Sequence, residues 1–215
     1  MNLEDELDAF RTASDAKRSE EERAERRRGA KALSQSGIAE AARRRGDPFP
    51  SFVLLNATGT EVRTADLLAT GPMIVVFYRG GWCPYCNLEL RAWQRRLTEV
   101  REANATLIAI SPELPDHSLS TAEKNELAFL VLSDRDQRVA RELGIVHSLP
   151  EQTVARQKGK GIDVAARQGS SRATLPLPAT YVIDPSGTIR YAFVETDYTQ
   201  RAEPAAVLEA LRALP

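Results

Sequence analysis

Two cysteines are the residues of this sequence best suited to chemistry, and they lie three positions apart. Cys83 and Cys86 are the only cysteines among the 215 residues, and they belong to the run Trp82-Cys83-Pro84-Tyr85-Cys86. Two thiols at this spacing can close a small disulfide with little backbone movement, so they can cycle between dithiol and disulfide. The sequence therefore indicates thiol redox chemistry.

The elements around the motif are expected to activate the thiols. A hydrophobic strand pattern precedes the motif and a helical pattern follows it. Pro84 suits the first position of that helix, because its missing N–H would have no partner there. This places Cys83 at the N-cap and Cys86 in the first turn, where free N–H groups and the helix dipole favour a thiolate. Arg79, four residues before Cys83, can add a cation.

A metal site was weighed as the alternative use of the two cysteines. A CxxC pair can supply two of four zinc ligands. The remaining ligands would have to be His117 and His147, which lie thirty residues apart without a paired spacing. Inert buried cysteines are a second alternative, which the flanking strand and helix argue against. We predict redox-active thiols and no metal or other cofactor.

The whole-chain composition excludes several function classes. The chain is 42% hydrophobic and 27% charged, with a formal net charge of -1, which is ordinary for a globular protein with a full core. The charge balance predicts no nucleic-acid partner. The sequence contains no run of eighteen apolar residues, so no membrane span is predicted. The acidic start lacks an apolar signal region, so we predict a cytoplasmic protein, in which a CxxC pair is usually reduced.

Residues 1–46 differ from the rest and are predicted to form a charged helical extension. They contain 11 Lys or Arg and 10 Asp or Glu. Leu3, Leu7 and Phe10 recur at helical spacing and form a short apolar stripe. The extension is interpreted as one or two helices that pack on the domain or on a partner subunit in a possible homodimer, or else as a solvated arm. Its glutamates cancel its arginine clusters, which argues against nucleic-acid binding.

Residues 47–215 are predicted to form one α/β domain. Strands alternate with helices, which implies βαβ units around a largely parallel sheet, and a terminal hairpin adds an antiparallel edge. The predicted strands are 52–55, 73–78, 106–110, 129–132, 180–184 and 188–194, and the predicted helices are 65–68, 86–100, 120–127, 137–143 and 204–214. His147 to Pro178 has no clear period and is expected to be irregular.

At this point the sequence resembles two related families. The Trp82 to Cys86 run looks like the thioredoxin and glutaredoxin active-site motif, and Pro178 matches the position where thioredoxin-fold proteins place a cis-proline facing the dithiol. The stretch from Phe77 to Glu89 resembles peroxiredoxins of the alkyl hydroperoxide reductase and thiol-specific antioxidant family, over about residues 47–214. The extension looks like that of a peroxiredoxin-like subgroup with this FYRGGWCPYC motif.

The resemblance implies a thioredoxin-like fold, a central mixed β-sheet flanked by helices, with an N-terminal helical extension. It also implies a thiol peroxidase acting on hydrogen peroxide or organic hydroperoxides. Cys86 falls at the peroxidatic position and Glu89 at the family's glutamate. Cys83 replaces the usual threonine and would resolve the sulfenic acid to a disulfide, which a thioredoxin-like or other dithiol donor reduces.

One family residue is missing from its expected place. Pro178 stands where the peroxide-holding arginine is expected. Arg79 is the first candidate to substitute for it, and Arg172 is a weaker one.

Two other functions remain open from the sequence. A thiol–disulfide oxidoreductase acting on protein disulfides would use Cys83 as the attacking thiol and Cys86 as the resolver, with Pro178 presenting the substrate backbone. A redox-responsive binding module would use the charged extension as its interaction surface. The sequence does not decide which cysteine attacks.

Several further residues have roles that the sequence predicts or leaves between two alternatives. Trp82 and Tyr85 are a platform beside the thiols or ordinary packing. Trp93 is predicted to lie in the core. Glu113 is a proton carrier or a solvated loop residue, and residues 197–201 line the site or a subunit contact.

Overall fold

A seven-stranded mixed sheet forms the centre of the protein, in a computed structural model that describes residues 2–214. The strands are β1 Val53–Asn56, β2 Glu61–Arg63, β3 Met73–Phe77, β4 Thr106–Ser111, β5 Leu130–Ser133, β6 Val146–Ser148, β7 Thr174–Pro176, β8 Ala179–Ile183 and β9 Ile189–Val194. The order across the sheet is β2-β1-β5-β4-β3-β8-β9, and β6 and β7 pair separately.

The helices alternate with these strands. They are α1 Leu3–Ala16, α2 Glu20–Ser34, α3 Ile38–Ala41, α4 Thr64–Thr70, α5 Pro84–Arg95, α6 Leu97–Glu102, α7 Pro115–Lys124, α8 Arg138–Glu142, α9 Glu151–Gly159, α10 Val164–Arg167 and α11 Pro204–Arg212. In the described part of the chain, no helix combines the length and the apolar character needed to cross a membrane.

The central position of strand β3 in the sheet explains why the sequence before the cysteine motif is continuously apolar. It pairs parallel with β4 and antiparallel with β8. All five of its residues are buried, because helices cover both faces of the sheet. Alternate β3 residues enter different core clusters, with Val75 in one and Ile74 in the other. The chain leaves the carboxyl end of β3 and enters α5 within seven residues, which delivers the cysteines to one edge of the sheet.

The extension packs on the helix that carries the cysteines. Leu3 and Leu7 of α1 are buried in the same cluster as both cysteines. The ring of Phe10 meets the ring of Tyr85 edge to face, with centroids 5.0 Å apart. A solvated arm is therefore the wrong interpretation for α1. By contrast α2, which lies wholly within the described residues, buries none of its residues.

The predicted thioredoxin-like fold is confirmed, with differences in the helices and in one segment. The helix predicted to reach Val100 is two helices, α5 and α6, since Arg96 leaves the helical conformation between them. The helix predicted over 120–127 begins earlier, at Pro115. The segment predicted to be irregular contains β6, α9, α10 and β7, elements too short or too evenly polar to give a clear period.

Candidate active site

The two thiols lie at the start of α5, in the arrangement that the sequence predicts. Cys83 is the N-cap residue, Pro84 occupies the first helical position and Cys86 completes the first turn. Both cysteines are free thiols and both are buried, with 1% of Cys83 and none of Cys86 exposed. Neither sulfur is open to solvent, so a reactant reaches it only when a covering side chain moves.

Arg201, just before α11, supplies a cation to the second sulfur. Its Nη2 donates to Cys86 Sγ at 3.2 Å, and its Nε donates to Glu89 Oε2 at 2.5 Å. Its Nη1 donates to the carbonyl oxygens of Tyr198 and Gln200 at 2.7 and 2.6 Å. Four acceptors thus hold the guanidinium in one orientation, with a planar fork of donors facing the thiol.

Arg79 supplies a cation to the first sulfur. Its Nη1 donates to Cys83 Sγ at 3.8 Å. The guanidinium carbon lies 4.9 Å from the centre of the Trp82 ring and 4.4 Å from that of Tyr198, which is the geometry of a cation–π contact. Each sulfur therefore has its own arginine.

The two thiols share one negative charge, which rests on Cys83. Burial by itself raises the pKa of Cys83, but a hydrogen bond from the Cys86 thiol and the cations of Arg79 and Arg201 bring that pKa down to about 5. Burial, together with the charge on Cys83, raises the pKa of Cys86 well above its usual value. These opposite pKa shifts favour, at neutral pH, a thiolate on Cys83 and a thiol on Cys86.

Glu89 and Arg201 form a buried ion pair beneath the thiols. Burial raises the pKa of Glu89 to about 7, although the Arg201 cation opposes the rise. Burial disfavours the charged form of Arg201, but the charges of Glu89 and the two cysteines outweigh it and raise its pKa. Glu89 Oε1 is buried and has no hydrogen-bond partner among residues 2–214. The pair holds the guanidinium in place by one carboxylate oxygen.

The loop before Cys83 is held by Glu113, at the start of the segment that follows β4. Glu113 Oε2 accepts from the backbone N–H of Gly81 at 2.7 Å, and Oε1 accepts from Arg167 Nε at 2.5 Å. Glu113 is 1% exposed, so the interpretation as a solvated loop residue is wrong. Gly80 has a φ of 143°, and a Cβ there would lie 2.8 Å from Glu113 Cδ. Only glycine fits this approach.

Pro178 lies beside the site but differs from the expected geometry. Every peptide bond in the described chain is trans, so the predicted cis-proline is wrong. Backbone hydrogen bonds hold the segment around Pro178 on both sides. Leu177 N–H donates to Ile145 O at 2.7 Å, and Glu195 N–H donates to Pro178 O at 3.2 Å. Pro178 and Arg79 line the same pocket.

A pocket of about 370 Å³ opens next to Arg79 and Pro178. Residues of α2 and α9 line it, together with Tyr198 and Leu177. His147 also lines it, and burial together with the nearby Arg79 cation lowers the pKa of His147 to about 4, so its ring is neutral above that pH. The pocket joins the extension to the side of the site that holds Cys83.

Of the other residues singled out from the sequence, the aromatic ones are buried or half-buried and Arg172 is exposed. Trp93 is fully buried in the core, as predicted. Tyr85 is buried between the rings of Phe10 and Tyr198, and Trp82 is half-buried under Arg79. Arg172 is exposed and contributes nothing to the site.

Arg201 is the site residue that sequence reasoning did not identify. The sequence marked only its segment, 197–201, as lining either the site or a subunit contact. Arg201 lies 115 positions from Cys86, and no spacing rule joins the two. A basic residue in a polar run just before the last helix was the available signal.

Known proteins resemble this chain over most of its second part. Residues 45–192 match the sequence profile described as the AhpC/TSA family. Peroxiredoxin Q, chloroplastic, of Gentiana triflora is 26% identical over 149 residues, which cover 69% of this chain and 58% of that protein. Peroxiredoxin Bcp of Escherichia coli (strain K12) is 29% identical over 100 residues, which cover 46% of this chain and 64% of that protein. The chain thus spans less than two thirds of the length of these relatives.

Solved structures share the fold. Peroxidoxin BcpB from Mycobacterium tuberculosis superposes with a TM-score of 0.63 at 23% identity, over 80% of this chain and 98% of that one. The bacterioferritin comigratory protein of Xanthomonas campestris gives a TM-score of 0.57 at 18% identity, over 75% of this chain and 90% of that one. At these identities the likeness describes the arrangement of strands and helices.

Proposed function

The chain belongs to the AhpC/TSA family, and from that membership we propose that it is a thiol-dependent peroxidase that reduces hydrogen peroxide or organic hydroperoxides. The observation that carries the proposal is the contact between Arg201 Nη2 and Cys86 Sγ at 3.2 Å. It places a fixed cation beside the cysteine at the family's peroxidatic position. The relatives are named as peroxiredoxins, which supports the same activity.

The first step is attack by Cys86. The single proton of the pair moves from Cys86 to Cys83, which leaves the Cys86 thiolate beside Arg201. Its sulfur attacks the hydroperoxide, so that an S–O bond forms and the O–O bond breaks. The leaving alkoxide takes the proton from Cys83, and Cys86 becomes a sulfenic acid. Arg201 stabilises the thiolate and the developing negative charge on oxygen.

The second step closes the disulfide. The Cys83 thiolate, next to Arg79, attacks Cys86 Sγ, and hydroxide leaves as water after taking a proton from solvent. Thiol–disulfide exchange with a thioredoxin-like or other dithiol donor then restores both thiols. Glu89 keeps Arg201 oriented through both steps, and Trp82 shields Arg79. Pro178 supports the site from the neighbouring pocket. The cycle calls for no metal or other cofactor.

The setting of this cycle is part of the proposal. A cytoplasmic location keeps a dithiol donor reduced. The extension, α1 to α3, also leaves a homodimer open as a prediction, which analytical ultracentrifugation would measure.

A stopped-flow experiment tests the activity. The reduced protein is mixed with hydrogen peroxide and the fluorescence of Trp82, beside the thiols, is followed in wild type, Cys83→Ser and Cys86→Ser. We expect fast oxidation that persists in Cys83→Ser and disappears in Cys86→Ser. Oxidation of all three proteins at the rate of an ordinary free thiol would contradict the proposal.

A second function, thiol–disulfide oxidoreductase, is favoured by one specific observation. The pKa of about 5 makes Cys83 the thiolate of the reduced site, and that is the attacking role in such an enzyme. This function predicts that Cys86→Ser traps a mixed disulfide with a substrate protein through Cys83. The peroxidase predicts no such adduct, so the trapping experiment separates the two functions.

A further inference from the structure

The pocket between α2 and α9 combines an apolar interior with a cationic rim. Leu33, Leu149 and Leu177 supply apolar surface. Cations among its lining residues outnumber carboxylates five to two; the cations are Arg18, Arg26, Arg79, Arg156 and Lys160.

Ion pairs with carboxylates neutralise part of this positive charge. Asp15 pairs with Arg18 and Arg26, and Glu25 pairs with Arg156 across the pocket. Lys160 and Arg79 have no carboxylate within ion-pair distance among the described residues. Glu22 also lines the pocket, so the five cations stand against three carboxylates, Asp15, Glu22 and Glu25, and the remaining positive charge favours a small organic anion with two negative charges.

The pocket serves the Cys83 side of the dithiol. Arg79 lines the pocket and also donates to Cys83 Sγ at 3.8 Å. Arg201 and Glu89, which surround Cys86, do not line it. In the proposed cycle the peroxide reacts at Cys86, so a ligand in this pocket meets the other sulfur.

We propose that this pocket binds a small thiol that carries two carboxylates and that reduces the disulfide as an alternative to the dithiol donor. The inference rests on the proposed function, which leaves a Cys83–Cys86 disulfide to be reduced. A pocket of about 370 Å³ between two helices has the size of a small-molecule site. The carboxylates meet Lys160 at the rim, and the thiol points inward to Arg79.

The exchange balances with two molecules of the thiol. Its thiolate attacks Cys83 Sγ after Arg79 shifts aside, a new S–S bond forms, and the Cys83–Cys86 bond breaks. Cys86 leaves as a thiolate beside Arg201. A second thiolate attacks the ligand sulfur of the mixed disulfide, which releases the Cys83 thiolate and the oxidised ligand. Solvent returns one proton to the pair.

The reduction step can be measured apart from peroxide chemistry. The full-length protein is oxidised with diamide, which makes the disulfide even if the peroxidase proposal fails. Its reduction is then followed by Trp82 fluorescence against increasing mercaptosuccinate (dianionic), 2-mercaptoethanol (neutral) and cysteamine (cationic). Rates are compared per thiolate. We expect saturation with mercaptosuccinate alone, and linear dependence on the other two thiols.

A charge-reversal variant locates the binding. Lys160→Glu is expected to raise the half-saturating mercaptosuccinate concentration about 10-fold, because two units of charge change at the rim. Lys158→Glu makes the same change two residues away, on an exposed residue that does not line the pocket, and is expected to leave that concentration unaltered.

A second variant fills the pocket without altering its charge. Gly29 lies in the middle of α2 and lines the pocket, and a Cβ there meets nothing within 4 Å. Gly29→Phe should therefore fold and lower the rate with mercaptosuccinate at least 5-fold, whereas Arg28→Phe on the same helix should not.

Three results would overturn the inference. The first is a linear dependence on mercaptosuccinate in wild type. The second is the same half-saturation in the Lys160 and Lys158 variants. The third is an effect of Lys160→Glu confined to oxidation by a carboxylate-bearing hydroperoxide, which would assign the pocket to the peroxide. Failure of hydrogen peroxide to form the disulfide would instead count against the peroxidase and leave these measurements valid.

Discussion

Arg201 donates to Cys86 Sγ at 3.2 Å although the two residues lie 115 positions apart in the sequence. The same guanidinium pairs with Glu89, and all three side chains are buried. A buried guanidinium held by a carboxylate and two carbonyl oxygens cannot follow a moving charge, so it acts as a fixed positive group at the thiol. This contact gives the Cys86 sulfur a fixed cation of its own.

Removing the cation should separate catalysis from stability. Arg201→Met is expected to slow peroxide oxidation about 100-fold in stopped-flow, because charge on sulfur and oxygen loses its partner. It should also lower the free energy of unfolding by about 3–5 kcal/mol, since Glu89 is left buried without its cation. Arg212→Met, at an exposed arginine of α11, is the control. Full oxidation rate in Arg201→Met would contradict the assigned role.

The stability loss has its own control. Combining Arg201→Met with Glu89→Gln removes both charges, and urea denaturation should then recover most of the lost stability. The oxidation rate should stay low. Recovery of the rate together with stability would mean that Arg201 serves only to fold the site.

The reduced protein should contain one thiolate at neutral pH. Ultraviolet thiolate absorbance is expected to titrate with a midpoint near pH 5, and that midpoint should be lost in Cys83→Ser, where Cys86 ionises beside Arg201 without the charge of Cys83 to oppose it. Since folding lowers this pKa below the unfolded value of about 8.5, the associated stability is complete above that value and is lost as pH falls through 5.

The hydrogen bond from Cys86 should contribute to that midpoint. Cys86→Ala removes the donor, so the Cys83 midpoint should move to higher pH. Cys86→Ser keeps a hydroxyl donor and should move it less. Equal midpoints in both variants would show that the arginines alone set the pKa of Cys83.

The extension should stabilise the helix that carries the thiols. Leu7 is 4% exposed and packs in the same cluster as both cysteines. Leu7→Ala is expected to lower the free energy of unfolding by about 2–4 kcal/mol. The neighbouring Asp8→Ala, at an exposed residue with a surface ion pair, should change it by less than about 1 kcal/mol. Urea denaturation measures both, and similar small changes would mean that α1 does not contribute to the domain.

The loop before Cys83 should depend on Glu113. Glu113→Ala leaves the part-buried N–H of Gly81 without its acceptor, which costs about 1–3 kcal/mol. We also expect a Cys83 thiolate midpoint displaced from pH 5, because the loop no longer holds Arg79 over the sulfur. Glu113→Gln keeps an oxygen acceptor and should restore most of both properties. If Gln and Ala behave alike, the hydrogen bond to Gly81 is not what positions the loop.

Local sequence patterns suffice to predict the paired thiols and the strand and helix around them. The spacing of Cys83 and Cys86, the proline between them and the apolar run of β3 act over a few residues. Local rules for strand periodicity and helix starts therefore suffice to predict a dithiol at a helix N-terminus. The βαβ alternation predicts the sheet for the same reason, since each strand and each helix has a recognisable pattern within its own residues.

The groups that meet the thiols from distant parts of the chain are evident only from the fold. Arg201, Glu113 and the pocket walls reach the site through chain folding over scores of residues, and no pattern of spacing encodes those distances. Desolvation also depends on the packing of distant segments, since Leu7 of the extension lies in the same buried cluster as both cysteines. The pKa values of the two cysteines, and hence the resting place of the charge, follow from that burial and those distant arginines.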